Sequence, residues 1–509
     1  MERSPIRAVL TALVVCAALP ASASGRLTSW GPETALTAPF DTAHLTGAPR
    51  QQKLVVSDNG EMHLFYAKPA HQFSQVFYKR YVPGASWLPD TCISLDVAHL
   101  WNTRPAVAID PAGNLHVVWT EHGGMYVWYK MRNAAGVWDG ASTRLSGVDP
   151  LINVGNPVIA CSPDGHVHAA WLEYNSTRGM WFVYREKVGE TWSPALVVDS
   201  VDTVSHGYFR DASIAVDGEN RVHLVFIGSS SGGPRGGQVY YRCRTETAWG
   251  ERERVSLGGD EATQTSAVVA VGLLAPEPQV VWAGDRPDTT SDCIWYSCRT
   301  GNAWLPPQLI SDPLHRTEQT TPSVVFTRDG ALHVAWFETA PAPSYAANLW
   351  YAERDTSGWW QPPAALTCDS VQRFWVRLAD GGRSPDSSHV HLVWTDTRAG
   401  PYQVYYRRGS PSPHGIKWHD EVPSSTARER AVQATICRGV LRLAADASQP
   451  TVCGIGLLDI SGRSVQVGML ESSNGRGLSL DVSCLAPGIY FVRFEASGLK
   501  TVSRVLLVR

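Results

Sequence analysis

Short apolar runs separated by polar turns recur along most of the chain, and no stretch shows sustained helical periodicity. The run Ala106–Ile109 is followed by an Asp-Pro-Ala-Gly-Asn turn, and a second apolar run extends from Leu115 to Thr120. Short apolar runs bounded by Gly, Pro, Asn and Asp are typical of buried β-strands. The pattern therefore predicts an all-β protein.

Three landmarks recur together and define a repeating unit. The first is a histidine three residues before an aromatic residue, at His63, His116, His168, His223, His333 and His391, with Gln279 in its place in the fifth unit. The second is a tyrosine in the next apolar run, at Tyr78, Tyr129, Tyr184, Tyr241, Tyr296, Tyr351 and Tyr406. The third is a tryptophan that opens a short fourth run, at Trp87, Trp138, Trp192, Trp249, Trp304, Trp359 and Trp418. The tyrosines are spaced by 51 to 57 residues, which predicts seven structural repeats.

A unit of this length with four short strands is typical of a propeller blade. A single blade cannot bury both of its faces, so the blades must pack around a ring. We therefore predict a seven-bladed β-propeller of four-stranded blades over residues 24–420. The segment Ser29–Pro32 resembles Thr191–Pro194, the start of a fourth strand. This favours closure of the ring by the N-terminal strand, and the alternative is that Trp418 opens the last blade's own outer strand.

The N-terminus has the pattern of a signal peptide over residues 1–23. Arg3 and Arg7 precede the apolar stretch Ala8–Leu19, and Ala-Ser-Ala at 21–23 is a small-residue cleavage site. The stretch is too short to span about 30 Å of hydrocarbon, so we expect no membrane span in the mature chain. The net charge of -3 gives no strong field to attract nucleic acid.

Nine of the ten cysteines lie beyond the predicted signal peptide, and their spacing is irregular. This spacing does not define a disulfide framework, so we expect most of them to be buried small hydrophobes. The odd count leaves at least one free thiol. A disulfide between two of Cys437, Cys453 and Cys484 stays an open alternative.

A charged, Ser-rich segment over residues 421–434 is predicted to be a linker, and the pattern changes after it. Leu457–Arg463 is an apolar run entering a Gly turn, Leu485–Arg493 is a turn entering a strand, and Val505–Arg509 is a final apolar run. Together these features resemble the type A C-terminal sorting domain of type IX secretion substrates. The resemblance implies an immunoglobulin-like sandwich over residues 435–509, handled by the type IX secretion machinery and delivered to the outer cell surface or released. An ordinary immunoglobulin-like accessory module is the alternative.

Charged residues recur near one end of the predicted strands. Arginines precede the inner strands, and acidic residues follow two positions after the aromatic residue of the second strands. The inner strand of a blade begins where the second strand ends, so these side chains are expected around one mouth of the channel. We predict a site for a polar or charged ligand there, formed by Arg104, Arg210, Glu121, Glu173, Glu338 and Asp396, with Arg50 and Arg373 near equivalent places.

We favour a non-enzymatic exported propeller that binds a glycan or a protein, because regular repeats are typical of a scaffold. The alternative is a sialidase-like glycoside hydrolase or a polysaccharide lyase. Ser162–Gly165 and Thr103–Pro105 distantly resemble motifs of sialidase-like propellers, and His122 and His206 are candidate lyase bases. No catalytic residue is assigned. A purely structural surface protein is the third possibility.

The repeated histidines are predicted to be structural, bonded to backbone or to a neighbouring blade. One histidine per blade gives a ring rather than a cluster, and metal ligands must converge on one ion. We therefore predict neither a metal site nor a cofactor.

Overall fold

The computed structural model describes most of the chain between residues 28 and 411 and eight backbone strands between 433 and 507. The described ranges of the first part are 28–39, 41–45, 52–70, 72–97, 101–121, 125–201, 207–229, 236–245, 248–256, 262–272, 276–286, 289–311, 317–340, 346–356, 358–382 and 388–411. The predicted signal peptide, nearly all of the predicted linker, and Arg50, His122, His206 and Trp418 lie outside the described residues.

Seven antiparallel sheets form the blades, each built from an inner strand outwards. The chain begins with β1 (Thr28–Trp30) and β2 (Thr34–Ala35). Blade 1 comprises β3 (Leu54–Val56), β4 (Met62–Ala70), β5 (Phe73–Tyr81) and β6 (Thr91–Cys92). Blade 2 comprises β7 (Asn102–Ile109), β8 (Leu115–Glu121), β9 (Tyr126–Arg132) and β10 (Thr143–Arg144). Blade 3 comprises β11 (Asn153–Cys161), β12 (Val167–Asn175), β13 (Gly179–Val188), β14 (Thr191–Trp192) and β15 (Leu196–Val201). Blade 4 comprises β16 (Phe209–Val216), β17 (Val222–Gly228), β18 (Gln238–Arg244) and β19 (Glu253–Arg254).

The remaining blades repeat this arrangement. Blade 5 comprises β20 (Gln264–Ala270), β21 (Gln279–Arg286), β22 (Thr289–Thr300), β23 (Ala303–Trp304) and β24 (Gln308–Leu309). Blade 6 comprises β25 (Glu318–Phe326), β26 (Leu332–Thr339), β27 (Ala347–Arg354) and β28 (Ala364–Ala365). Blade 7 comprises β29 (Arg373–Asp380), β30 (Val390–Asp396) and β31 (Gln403–Pro411), with β1 and β2 as its outer edge. The predicted all-β propeller of seven blades is confirmed.

The N-terminal strand closes the ring. β1 pairs antiparallel with β31, with Thr28 opposite Pro411 and Trp30 opposite Gly409. β2 pairs with the same strand further along, where Thr34 lies opposite Tyr406. The first strand of the propeller and the last three therefore form one blade, which confirms the predicted mode of closure.

The second strand of each blade lies between two neighbouring blades and is almost wholly buried, as its near-continuous apolar sequence indicates. In five blades this strand has a tryptophan that is among the largest fully buried side chains of the protein. These tryptophans are Trp119, Trp171, Trp282, Trp336 and Trp394, each at most 1 % exposed.

The repeated tyrosine joins each blade to the next through its ring. Each tyrosine ring meets the edge of the repeated tryptophan on the following blade, with centroids 5.0 to 5.8 Å apart. Such edge-to-face pairs add about 0.5–1.5 kcal/mol beyond the area they bury. In blade 7 this tryptophan is Trp30, which contacts Tyr351. In blade 6 it is Trp360, which contacts Tyr296. The prediction of Trp359 as the landmark is wrong, because that side chain is 41 % exposed.

The repeated histidine binds the repeated tyrosine of its own blade. In all six histidine-bearing blades Nδ1 lies 2.6 to 2.8 Å from the tyrosine hydroxyl oxygen. In blade 5 the Tyr296 hydroxyl donates instead to Gln279 Oε1, at 2.8 Å. The structural role predicted for the histidines is therefore confirmed, but their partner is this tyrosine rather than backbone or a neighbouring blade. The expectation of buried cysteines holds for Cys293 and is wrong for Cys368, which is exposed.

The described strands between residues 433 and 507 belong to a second compact unit. Its described strands form two four-stranded antiparallel sheets. One contains β32 (Gln433–Cys437), β33 (Val440–Ala444), β37 (Gly477–Asp481) and β36 (Gly468–Leu470). The other contains β35 (Ser464–Val465), β34 (Val452–Asp459), β38 (Gly488–Ala496) and β39 (Leu499–Leu507). The immunoglobulin-like arrangement of this unit stays a prediction. In the described part of the chain, no helix has the length and hydropathy to span a bilayer.

We expect His168→Leu to destabilise the propeller by about 1–3 kcal/mol, because it leaves the buried Tyr184 hydroxyl without an acceptor. His168 suits this test because its Nε2 has no hydrogen-bond partner among the described residues, so Tyr184 is its main polar contact. His168→Gln is the matched control and should lose less than about 1 kcal/mol, since blade 5 uses glutamine naturally. Urea denaturation of the full chain measures both changes. Equal losses in the two variants would contradict this role.

Candidate functional site

The propeller has two distinct faces. Inner strands begin and second strands end at one face, where Asn102 lies opposite Glu121 in blade 2. We call it the start face. The turns between inner and second strands, such as residues 110–114, lie at the other face, which we call the turn face. The predicted site belongs to the start face.

A β-bulge interrupts the inner strand of blades 2 to 7 near the start face. The register shifts at the same place in each of these strands. One residue of each bulge has φ between 43° and 62°, a region that non-glycine residues rarely adopt. Asn156 Nδ2 lies 3.5 Å from Asp211 Oδ1, so neighbouring bulges touch. The bulge residues form a ring of six different side chains: Arg104, Asn156, Asp211, Ser266, Thr321 and Trp375.

Three of the predicted acidic residues are buried and bound by indole groups. Trp128 Nε1 donates to Glu121 at 2.6 Å. Trp171 and Trp181 both donate to Glu173 at 2.9 Å, and Trp394 donates to Asp396 at 3.1 Å. Glu121 and Asp396 are only 4 % and 0 % exposed.

The fourth acid, Glu338, is half-buried and accepts a hydrogen bond from the Thr317 hydroxyl. The hydrogen bonds from indole groups fix the ends of the second strands. The indole-bound acids therefore have a structural role at the start face that does not depend on a ligand. Their part in ligand binding stays a prediction.

The predicted arginines have different charged neighbours. Arg104 lies near the fully buried Lys53, whose pKa is well below its usual value because of burial and of the charges of Arg377 and Arg104. Arg210 lies near Asp292 on blade 5. Arg373 is fully buried and makes a two-pronged contact with Asp369, at 2.8 and 2.6 Å.

An acidic pair on blade 5 is a feature that the sequence analysis missed. Asp285 and Asp292 face each other across the β21–β22 ladder at the start face. Burial, together with the neighbouring Asp285 and Glu318, raises the pKa of Asp292 to about 7 against the opposing charge of Arg210. A carboxyl group that titrates near neutrality can donate or accept a proton. Asp285 lies three residues after Trp282, one position beyond the repeated acid, so the repeat pattern gave no signal for it.

Four aromatic rings cluster at the start face where blades 7 and 1 meet. Trp375 lies 5.5 Å from Phe374 and 6.1 Å from Tyr402 between ring centroids. His44 contacts both Trp375 and Tyr402, at 5.9 and 6.0 Å. All four residues are only partly buried. Burial lowers the pKa of His44 to about 4, so this ring is neutral at physiological pH.

A polar network lies beside this aromatic cluster. Arg398 Nε donates to Asp396 at 2.8 Å, and the same guanidinium reaches Glu33 of the N-terminal segment. Asp396 also lies 3.9 Å from Arg373 Nε. Within the described ranges, no group of His, Cys, Asp and Glu is placed to hold a metal ion.

The raised pKa of Asp292 predicts a pH-dependent stability. The folded state holds a proton up to about pH 7, whereas an unfolded aspartate loses it near its ordinary value of 3.8, so stability falls as pH rises between these values. We expect Asp292→Asn to be more stable than the wild type at pH 8, by roughly 1–2 kcal/mol, with a smaller difference at pH 5. Thermal unfolding at both pH values checks this. Asp58→Asn, which removes an exposed acid from the turn face, is the control, and the same pH effect in both variants would contradict the assignment.

Comparison with solved structures gives only remote similarity. A protein of unknown function from Dyadobacter fermentans is 10 % identical over 75 % of this chain and 99 % of its own, with a TM-score of 0.43. A Hadza microbial sialidase is 13 % identical over 75 % of this chain and 68 % of its own, with a TM-score of 0.41. An α-L-arabinanase from Penicillium chrysogenum is 12 % identical over 60 % of this chain and 92 % of its own, with a TM-score of 0.44. No curated protein matches the chain.

The C-terminal segment has a clear relationship. Residues 438–508 match the family model of the secretion system C-terminal sorting domain. This match confirms the resemblance noted in residues 457–509. The sorting domain indicates type IX secretion of this chain to the outer cell surface or the extracellular space.

Proposed function

We propose that the propeller binds a glycan at its start face, with the cluster of His44, Phe374, Trp375 and Tyr402 as the contact surface. The observation that carries this proposal is Trp375, a bulky residue held at φ 55° in a bulge and left partly exposed among three other rings. Such backbone conformations are unfavourable for large side chains and persist where the surrounding structure demands them, often at binding sites.

The chemistry of the cluster suits a sugar. Sugar rings present apolar C–H faces and polar hydroxyl edges, so a binding site needs flat apolar surfaces beside a few fixed polar groups. Here the aromatic rings supply the surfaces. Arg398 is 28 % exposed and its guanidinium is fixed by Asp396 and Glu33, so it supplies an oriented donor. In this proposal Asp396 acts by positioning Arg398.

The other predicted residues would extend the site around the same face. Arg104 belongs to the bulge ring, and Arg210 lies beside the acidic pair of blade 5. Glu121, Glu173 and Glu338 lie at the ends of second strands. We propose these five as outer contacts of a longer glycan.

A second candidate function is glycan cleavage, and the acidic pair of blade 5 is the observation that favours it. Asp292 has a pKa raised to about 7, mainly by burial, and faces Asp285. Glycoside hydrolysis usually employs two carboxyl groups, one of which acts as an acid near neutral pH. The non-enzymatic function is preferred, because the aromatic cluster lies on blades 7 and 1 and the acidic pair on blade 5.

We expect Trp375→Ala to lose at least about tenfold in affinity for a glycan that the full chain binds, because one stacked ring supplies about 1.4 kcal/mol or more. Glycan-array screening of the full chain selects the ligand, and titration calorimetry measures the affinity. Trp359→Ala is the matched control, because Trp359 is an exposed tryptophan on the outer edge of blade 6.

The outcomes separate the candidate functions. An equal loss in Trp375→Ala and Trp359→Ala, or no glycan bound, would refute the aromatic site, and a protein ligand would then be sought. Incubating the bound glycan with the wild type and with Asp292→Asn tests cleavage. Product that forms only with the wild type would establish the hydrolase.

A further inference from the structure

The turn face contains a cavity of about 810 Å³ at the mouth of the central channel. In six blades the last residue of the inner strand lines it, and in blade 5 the lining residue is Val271, which directly follows β20. Six blades supply an apolar residue at this position, and blade 7 supplies a carboxyl group. The ring consists of Val56, Ile109, Cys161, Val216, Val271, Phe326 and Asp380.

Close backbone contacts hold this ring in place. Gly382 has φ +63°, and a Cβ at this position would collide with the carbonyl oxygen of Val56 on blade 1. A Cβ at Gly272 would lie 2.9 Å from the ring of Phe326 on blade 6. Glycine at these two positions lets neighbouring blades meet closely at the mouth, so the wall of the cavity is part of the packed ring.

The carboxyl group of Asp380 differs from the other acids of the cavity. Asp110 contacts Nε2 of His116 at 3.2 Å, and Asp217 contacts Nε2 of His223 at 3.1 Å. Among the described residues, Asp380 accepts hydrogen bonds from its own backbone N–H and that of Gly382, and no cationic side chain pairs with it. It is enclosed by protein but keeps part of its surface open to the cavity.

We propose that this cavity binds an alkylammonium group, such as the side chain of a lysine on a peptide ligand. The apolar ring would contact the methylene chain, and the carboxylate of Asp380 would bind the ammonium group. An enclosed carboxylate without a counter-charge is unfavourable, and a bound cation relieves that penalty. A neutral or anionic ligand would not relieve this penalty. This site is separate from the proposed glycan site, because it lies on the opposite face and uses other residues.

The test measures binding of n-pentylamine to the full chain, with 1-pentanol as an uncharged probe of the same length. We expect Asp380→Asn to lose at least about tenfold in affinity for the amine, with pentanol binding unchanged. Asp58→Asn is the matched control, since it removes an equal charge from an exposed position of the same rim. It should change the amine affinity less than about twofold. Titration calorimetry and saturation-transfer NMR give both values.

Three outcomes would overturn the proposal. Pentanol binding as tightly as pentylamine would show an apolar pocket only. Equal losses in Asp380→Asn and Asp58→Asn would show attraction to a diffuse negative surface. No binding of the amine to the wild type would show that the cavity has another role.

A pH series on the wild type keeps the proposal testable if Asp380→Asn fails to fold. Burial raises the pKa of Asp380 to about 6, so its carboxylate becomes protonated as pH falls through this value. The amine stays charged, and its affinity should drop by about tenfold per pH unit below 6. An affinity that stays constant from pH 7.5 to pH 5 would refute the role of Asp380.

Four other titratable groups of the cavity have pKa values shifted away from 6. Burial lowers the pKa of His63 to about 3 and raises that of the Cys161 thiol. For Asp110 and Asp217, burial is outweighed by hydrogen bonds from the histidines, so their pKa values are lowered. The charged or titratable groups that face Asp380 across the cavity are Asp58, Glu61, His63, Asp110, Arg132, Cys161, Asp217 and Arg328.

Discussion

The propeller depends on one tyrosine per blade, which makes two different contacts. Its hydroxyl bonds the histidine or glutamine of the second strand, which ties the second and third strands of one blade together. Its ring meets the tryptophan of the following blade, which ties that blade to the next. Each contact is worth only about 1 kcal/mol. Repeated seven times around a closed ring, they fix the order and spacing of the blades. Closure by Trp30 follows, since without it the ring of Tyr351 would lack its partner.

This arrangement leaves the inner strands free to vary. The fixed contacts lie on the second, third and outer strands, so the inner strand only has to follow the channel. The bulge in six of the seven blades shows the result, because its backbone geometry is constant while its side chain changes from Arg104 to Trp375. Variation at one end produces the aromatic and charged start face. Variation at the other end replaces an apolar residue by Asp380.

The same division explains what the sequence could predict. The histidine, tyrosine and tryptophan landmarks are required by packing, so they repeat in type and spacing and reveal the seven blades. The choice between adjacent tryptophans at 359 and 360 could not be made, because only the register of β27 with its outer neighbour decides which side chain turns inward. The bulge ring, the Asp285–Asp292 pair and the ring around Asp380 share a position but no residue type. They become visible only when the strands are aligned in space.

The secretion route and the proposed binding sites are therefore separate properties of the chain. The sorting domain delivers whatever propeller precedes it, so residues 438–508 say where the protein goes and nothing about its ligand. In our two proposals the ligand is instead constrained by two unfavourable features that the ring tolerates. Trp375 holds a strained backbone conformation, and Asp380 holds a carboxylate that no cationic side chain of the described residues pairs with. Blades 2 to 6 have non-aromatic residues in the same bulge conformation and apolar residues in place of Asp380. Such a feature weakens the folded state, and its presence is understandable if ligand binding recovers the lost free energy. For Trp375 the ligand would have a flat apolar surface, and for Asp380 it would be a cation.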